Sequence, residues 1–239
     1  YLRRNPAAMV RNVRTPVASR ITRYLTPEAI ALAVDTVSRR VPDSPAALRR
    51  RERDRFLLIA FSHTGARLNE LVSANMGSIY SEGSDRWRHD AMGKGNKPRR
   101  LPVPTDMLEA LRRYREAFGL SPLAGRADRT PLVLSSRSRA VTRLTDEAAA
   151  EAIKRVFLET AQAAASAGQD DIATSLRHAS AHWLRHSMLT NLANDGVQLK
   201  TLQDTAGHAN IATTAGYLHK TDNERHDEIL GAKVNKKEK

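Results

Sequence analysis

The chain has 239 residues, 41% hydrophobic and 27% charged, which is typical of a globular protein with a full core. Its 39 lysines and arginines outnumber 26 acidic residues, and the net charge of +13 favours a polyanionic partner, either nucleic acid or an anionic membrane surface. The absence of cysteine excludes disulfides and cysteine-ligated zinc, and it fits a reducing cytoplasm. The longest apolar run, at residues 56–61, is too short to span a bilayer, and no signal peptide is visible.

Residues 1–22 are rich in arginine and have no apolar period. We interpret this stretch as a basic linker from a missing N-terminal domain, because the sequence begins at Tyr1 rather than at methionine. A disordered end explains the same residues equally well. Residues 23–239 are then expected to form one domain, with residues 222–239 as a C-terminal helix and tail.

Helix start and stop signals organise the first part of this domain. Thr26 and Ser44 are each followed by proline, and they predict helices that run to about residue 40 and to Gly65. Arg67 lies at the start of a short helix that follows Gly65. An ion pair with Glu70, three residues later, would give this arginine a purely structural role.

A group of short β-like segments comes next. Residues 79–80, 87–92 and 99–103 have the composition of strands, and a turn rich in glycine separates the last two. Glycine and asparagine supply the backbone freedom that a tight turn needs, so we expect a hairpin or meander. Lys94 lies in that turn.

The middle of the chain alternates helical and irregular stretches. Thr105 predicts a helix closed by Gly119, and residues 132–134 form a strand-like apolar piece within a loop. Thr145 opens a long alanine-rich helix that ends near Gly168. We expect a polar stretch without regular structure between that helix and residue 180.

The last part predicts several short helices. Ser180 is expected to cap a helix that runs to residue 194, a short helix covers residues 199–206, and another carries Tyr217. Thr221 starts a final helix. The total of about nine helices and a small antiparallel sheet predicts an α+β fold that is mainly α-helical.

Residues 180–217 concentrate imidazole, guanidinium and phenol groups, and a metal site is the first hypothesis to test. His178, His182 and His186 are spaced by four, but a helix capped at Ser180 would leave the first of them outside it. The zinc-protease motif, a carboxylate cluster and the Gly-x-Ser-x-Gly motif are all absent from the sequence. We therefore expect neither a metal site nor a serine hydrolase.

His182 and Arg185 lie three residues apart and therefore share one helix face near a helix N-terminus. Both side chains can converge there on a single anion, and arginine binds phosphate oxygens in two-point fashion. Taken alone, such a pair is better explained as a surface pair. The decisive feature is the combination with further residues elsewhere in the chain.

That combination resembles the catalytic domain of the tyrosine recombinases, also called phage integrases. The resembling segments are residues 64–71, 93–99, 182–186 and 207–208, followed by a tyrosine nine positions after the last histidine. The resemblance implies six catalytic residues, which are Arg67, Lys94, His182, Arg185, His208 and Tyr217. Arg185 is preferred over the nearby Arg177 because only Arg185 follows a histidine by three residues within a capped helix.

The resemblance also implies a reaction. Tyr217 would attack a phosphodiester of double-stranded DNA, forming a 3′-phosphotyrosyl link without metal, ATP or any cofactor. Arg67 and Arg185 would bind the scissile phosphate, His182 would act as base and Lys94 as acid, and His208 would orient the phosphate. A site-specific recombinase of this kind is expected to act as a homotetramer on two DNA sites, in the cytoplasm, associated with the nucleoid through DNA and not with a membrane.

Three alternatives to a recombinase remain open from the sequence. A type IB topoisomerase would use the same phenol chemistry to relax DNA. A non-catalytic DNA-binding module needs only the basic surface, and a metal-dependent nuclease would lose its activity to a chelator.

Overall fold

The computed structural model of the protein describes residues 23–83, 86–93, 98–136, 141–208 and 210–217. These residues contain nine α-helices and one three-stranded sheet. The helices are α1 (Pro27–Ser38), α2 (Pro45–Thr64), α3 (Leu68–Ser73), α4 (Thr105–Ala117), α5 (Asp146–Ser166), α6 (Asp170–His178), α7 (Ala181–Asn194), α8 (Leu199–Ala206) and α9 (Ile211–Ala215). The strands are β1 (Ile79–Ser81), β2 (Trp87–Met92) and β3 (Pro98–Pro102). The predicted fold class, mainly helical with a small antiparallel sheet, is confirmed.

The boundaries of α1 and α2 follow the predicted caps closely, whereas Thr105 is the first residue of α4 and Pro104 is its N-cap. Thr26 and Ser44 each accept a hydrogen bond from the backbone three residues on, at 3.3 and 3.2 Å, which satisfies donors that the first helical turn leaves free. α2 ends at Gly65, whose φ of 54° is a left-handed conformation that glycine adopts without steric cost. The next residues therefore leave the helix axis sharply, and Arg67 becomes the N-cap of α3.

α2 is the central helix of the core. Its residues 56–61 are almost fully buried, and it packs against α1, α4, α5 and α7. The Phe56 ring stacks on the ring of Tyr114 from α4, with centroids 5.1 Å apart, and the Tyr114 hydroxyl accepts a hydrogen bond from the Leu134 backbone at 2.7 Å. This packing holds the C-terminal end of α2, and with it Gly65, in a fixed position.

The sheet is a meander in the order β1-β2-β3, and both pairs are antiparallel. Ala91 is the register partner of Arg99, and His89 that of Leu101. Successive side chains alternate between the two faces of a sheet, so His89, Ala91, Arg99 and Leu101 share the inward face. The predicted hairpin is present, although its turn, with Lys94, lies outside the described residues.

Three expectations about local structure were wrong. Residues 132–134 are fully buried but form only an isolated bridge, from Leu134 to Arg143, and not a strand. Residues 170–178, expected to be irregular, form α6, which buries Ala173 and Leu176 against α5. Tyr217 follows α9 in a turn instead of lying within that helix. The basic stretch at residues 1–22 and the C-terminal segment at 222–239 lie outside the described residues, so both stay predictions.

A second, smaller apolar cluster lies beside the main core. It contains Met188 and Leu189 from α7 and Ala206 from α8, and Tyr217 packs against it. This cluster joins the last three helices and positions the turn that carries the tyrosine. Within the described ranges, no helix has the length and apolar character needed to cross a membrane.

Candidate active site

Five of the six predicted site residues are described, and they come from four separate elements. Arg67 caps α3, His182 and Arg185 lie on α7, His208 follows α8, and Tyr217 follows α9. The sixth residue, Lys94, belongs to the hairpin turn that the structure does not describe. Contacts between these elements bring the five residues together.

Arg185 is the most deeply buried of these residues, with only 3% of its surface exposed. One terminal nitrogen donates to the Gly65 carbonyl, and the other donates to the Ala206 carbonyl at 2.6 Å and lies 3.1 Å from His208 Nε2. Burial, followed by repulsion from Arg67 and other cationic neighbours, lowers the pKa of Arg185 to about 10. The guanidinium thus stays charged at neutral pH and is held in one orientation by the ends of α2 and α8.

Arg67 is held by Glu70, as the sequence suggested. Glu70 accepts from the Arg67 backbone at 2.8 Å and from its guanidinium at 2.7 Å, while another Arg67 nitrogen reaches the Gly207 carbonyl at 3.4 Å. Burial by itself raises the pKa of Glu70, but hydrogen bonds from Arg99 and Arg67 outweigh it, and the pKa lies below its ordinary value. This ion pair does not withdraw Arg67 from the site, because the guanidinium remains partly exposed beside Gly207.

Arg99 on β3 is a second partner of Glu70, and sequence reasoning missed it. Its two terminal nitrogens donate to the two carboxylate oxygens at 3.0 and 2.5 Å, so Glu70 bridges two guanidiniums. Arg99 therefore connects the β2–β3 hairpin to α3. A lone arginine in a strand carries no sequence signal for this role, since the partner is 29 residues away.

Gly207 packs against the Arg99 guanidinium, which would have to move to admit a side chain here. Its φ is 63°, and a Cβ atom built there would lie 2.7 Å from Arg99 Nη1. Glycine at this position allows the end of α8 to approach the hairpin. The approach places the following residue, His208, against Arg185.

His208 is fixed through both ring nitrogens. Nε2 lies 3.1 Å from Arg185, and Nδ1 lies 3.0 Å from the hydroxyl of the buried Thr214 on α9. Burial, with the charges of Arg185 and Arg67, lowers the pKa of His208 to about 4. The ring is therefore neutral at pH 7, and the Thr214 contact joins it to the helix that precedes the tyrosine.

The remaining imidazoles lie in a row with Tyr217. The rings of His182 and His186 are 4.4 Å apart, His186 is 5.4 Å from Tyr217, and His208 is 6.1 Å from it in a nearly parallel arrangement. Burial, then the charge of Arg185, lowers the pKa of His182, and burial followed by His182 lowers that of His186 to about 4. Both rings are neutral at pH 7 and able to accept a proton. His186, considered from the sequence only as a metal ligand, is a neighbour of the phenol.

Tyr217 is half-buried against the small apolar cluster. Burial raises the pKa of its phenol, and the positive charge of Arg185 opposes this effect. Its hydroxyl makes no hydrogen bond to any residue that the structure describes. The phenol is accordingly protonated at neutral pH and needs a base to become a nucleophile.

The histidines spaced by four do not share one helix. His178 ends α6, whereas α7 begins at Ala181. The three histidines therefore do not form one row on a single helix face, as the cap predicted at Ser180 implied. Among the described ranges, no group of three histidine or acidic side chains is placed to hold a metal ion. Arg177 is exposed on α6, whereas Arg185 is buried.

The Phage integrase family model matches residues 24–224 of the chain. Tyrosine recombinase XerC of Alcanivorax borkumensis is 34% identical over 194 residues, which are 79% of this chain and 55% of that protein. Tyrosine recombinase XerD of Neisseria meningitidis serogroup B is 29% identical over 177 residues, 74% of this chain and 52% of that protein. The chain thus spans about half the length of these relatives.

Solved structures show the same fold. The XerH site-specific recombinase bound to its difH substrate, in a pre-cleavage complex, superposes with a TM-score of 0.64 at 21% identity, covering 86% of this chain and 53% of that one. The Tn1549 transposon integrase in complex with transposon right end DNA gives a TM-score of 0.61 at 18% identity, covering 87% and 65%. The predicted family resemblance is confirmed.

Proposed function

Because this chain belongs to the phage integrase family, we propose that it is the catalytic part of a site-specific DNA recombinase that cleaves and rejoins DNA through a 3′-phosphotyrosyl intermediate. The observation that carries the proposal is the convergence of Arg67, Arg185, His208 and Tyr217 from four separate elements. A DNA-binding module without chemistry has no need for a buried arginine, a fixed imidazole and a phenol at one point. XerC and XerD, which are 34% and 29% identical to this chain over the aligned residues, are named as tyrosine recombinases.

The two arginines would bind the scissile phosphate. Arg185 is oriented by two backbone carbonyls, and Arg67 by Glu70, so neither loses much conformational freedom when the phosphate arrives. Both would stabilise the negative charge that develops on the non-bridging oxygens in the transition state. His208, held through both ring nitrogens between Arg185 and Thr214, would orient Arg185 toward the phosphate.

Proton transfer would use the neutral imidazoles. The raised pKa of Tyr217 requires that a base remove its proton, and His182 is our candidate because its pKa is lowered and it therefore keeps a free lone pair. The His186 ring contacts both the His182 ring and the Tyr217 ring, so His186 is a second candidate for the base. Lys94 would protonate the 5′-oxygen leaving group. One ester replaces another in this reaction, so rejoining requires no ATP and the chemistry requires no metal or other cofactor.

The proposed partners follow from the family and the charge. Double-stranded DNA would bind through phosphate contacts to the basic surface, with a homotetramer assembled on two DNA sites. XerH and the Tn1549 integrase are described in complex with DNA, which supports the first of these proposals. A protein with this substrate would work in the cytoplasm, associated with the nucleoid.

The test is covalent trapping on nicked suicide DNA in EDTA, followed by denaturing electrophoresis. Wild type is expected to give a protein–DNA adduct, and Tyr217→Phe is expected to give none. Tyr80→Phe is the matched control, because it removes a phenol hydroxyl that interacts with Asp90 and Arg126 and with none of the described site residues. An adduct that persists in Tyr217→Phe would refute the proposed nucleophile.

The same experiment separates the alternatives. A metal-dependent nuclease would be inactive in EDTA, and a non-catalytic DNA-binding module would retain equal DNA affinity in both variants without ever forming an adduct. A type IB topoisomerase would form the adduct, so product analysis is needed there. Relaxation of supercoiled plasmid without strand exchange between two sites would favour the topoisomerase.

A further inference from the structure

A cavity of about 400 Å³ lies between α2, the first half of α5 and residues 135–136 and 143–145, and it shares no residue with the catalytic cluster. Its lining includes four arginines, Arg50, Arg53, Arg143 and Arg155, and a single carboxylate, Glu151. A concave surface with an excess of one sign of charge, here four arginines against one carboxylate, concentrates the electrostatic potential and attracts counter-ions. The volume lies in the range of small-ligand sites.

A buried carboxylate near the cavity, Asp54, is shared by too many cations to neutralise them. Arg53 donates to one of its oxygens at 3.1 and 2.7 Å, while Arg155 and Arg40 reach the other at 3.2 and 3.1 Å. Arg40 has a second acidic partner, Glu159. Arg53 and Arg155 therefore share the single negative charge of Asp54. The Arg53 side chain is only 6% exposed, so water does little to stabilise its charge.

Guanidinium donors also remain available toward the cavity. Arg50 makes no hydrogen bond or ion pair with any residue in the described ranges. Arg155 uses one terminal nitrogen on Asp54, and Arg53 holds Ser136 at 3.1 Å with a nitrogen that carries a second hydrogen. The lining also contains Thr145, the N-cap of the 21-residue α5, but Asp146 and Glu147 in the first turn already answer the helix dipole, so the arginines supply the attraction for an anion.

We propose that this cavity is a second phosphate-binding site, separate from the site that binds the scissile phosphate. Its ligand is a phosphate group, carried either by the DNA backbone at a distance from the cleaved bond or by a free phosphorylated molecule. Arg53 supplies the pre-organised, nearly buried cation, and Arg50 and Arg155 supply donors from the two sides. The site does not depend on the chemistry of Tyr217.

The test variant is the double substitution Arg50→Ala, Arg155→Ala, which leaves the buried Arg53 in place. The matched control is Arg39→Ala, Arg113→Ala, which removes the same charge from arginines whose side chains are 78% and 57% exposed in surface ion pairs on α1 and α4. Pyrophosphate is titrated by calorimetry at constant ionic strength. The catalytic residues are the same in all three proteins, so any difference between variant and control reports the cavity.

We expect wild type and control to bind pyrophosphate alike, and the cavity variant to lose one site or to bind at least about tenfold more weakly. Duplex DNA affinity measured against salt concentration then identifies the source of the phosphate. The slope of the logarithm of the DNA-binding constant against the logarithm of salt concentration is compared between the two proteins. A slope that is smaller in magnitude by about one to two in the cavity variant assigns a DNA phosphate, and an equal slope assigns a free phosphorylated ligand. Equal pyrophosphate binding and equal salt slopes in variant and control would overturn the proposal. Because Tyr217 is untouched, failure here is distinguishable from failure of the covalent adduct.

Discussion

Gly207→Ala tests whether the close approach of α8 to the hairpin organises the catalytic site. An added Cβ atom would lie 2.7 Å from Arg99 Nη1, whereas ordinary contacts begin at 3.4 Å, so the guanidinium must move by about 0.7 Å (3.4 − 2.7). That movement competes with the 3.0 Å hydrogen bond from the same nitrogen to Glu70. Glu70 also holds Arg67, so the displacement reaches a residue that we place on the phosphate.

The expected loss of folding free energy in Gly207→Ala has two parts. A residue with a side chain at a φ of 63° costs about 1 kcal/mol of folding free energy relative to glycine, and a weakened charge-assisted hydrogen bond costs about 1.5 kcal/mol more. Gly196→Ala is the matched control, because its φ is 79° at the end of α7 and nothing lies within 4 Å of the added atom. It should lose only the first part.

Urea unfolding and single-turnover cleavage of suicide DNA measure the two consequences. We expect Gly207→Ala to lose about 2–3 kcal/mol of unfolding free energy against about 1 kcal/mol for Gly196→Ala. Cleavage should fall about 10- to 100-fold in the first variant, because a displacement of this size misplaces the phosphate, and stay near wild type in the second. Equal stability loss and equal cleavage in the two variants would refute the reasoning.

Three further predictions concern buried and catalytic charges. Burial, and then the charge of Arg99, lowers the pKa of His89 to about 4, and neither ring nitrogen has a partner among the described residues. The folded state therefore binds fewer protons than the unfolded state. The free energy of unfolding should fall by up to about 3 kcal/mol as pH drops from about 6.5 to 4. In calorimetric scans, the stability of His89→Leu should depend less on pH over this range. In Arg99→Lys, a single ammonium replaces the guanidinium that contacts both oxygens of Glu70. Single-turnover cleavage should therefore slow about tenfold, while duplex DNA affinity stays within about twofold of wild type. A fully active variant would contradict the role of Glu70 as a bridge between Arg67 and Arg99. If His182 is the base, the cleavage rate should fall as pH drops through a midpoint below 6.5, since its pKa is lowered, and a midpoint above that value would point to another group.

Local signals were sufficient for most elements. Thr26, Ser44 and Thr145 were recognised as caps because capping satisfies backbone donors within three residues, an interaction that the sequence contains completely. Gly65 and Gly196 likewise ended their helices with positive φ. The order and spacing of the six predicted site residues were enough to identify the family, which the comparison with known proteins confirms.

The errors arose where packing outweighs local preference. Residues 132–134 are apolar enough for a strand, but they lie in the core beside Tyr114, whose hydroxyl binds the Leu134 backbone in place of a neighbouring strand. α6 has no side-chain cap, although acidic residues begin it and basic residues end it, and burial of Ala173 and Leu176 against α5 stabilises it.

The sequence by itself determined the helix caps, the basic charge and the set of residues that can perform phosphoryl transfer, because each depends on neighbours in the chain or on composition. Only the tertiary structure decided how those residues meet. Glu70 joins Arg67 to Arg99, which lies 29 positions after Glu70, and Arg185 contacts carbonyls 120 and 21 positions away. Such partners are brought together by the packing of α2, α7, α8 and the sheet, and their chain separation leaves no periodic signal.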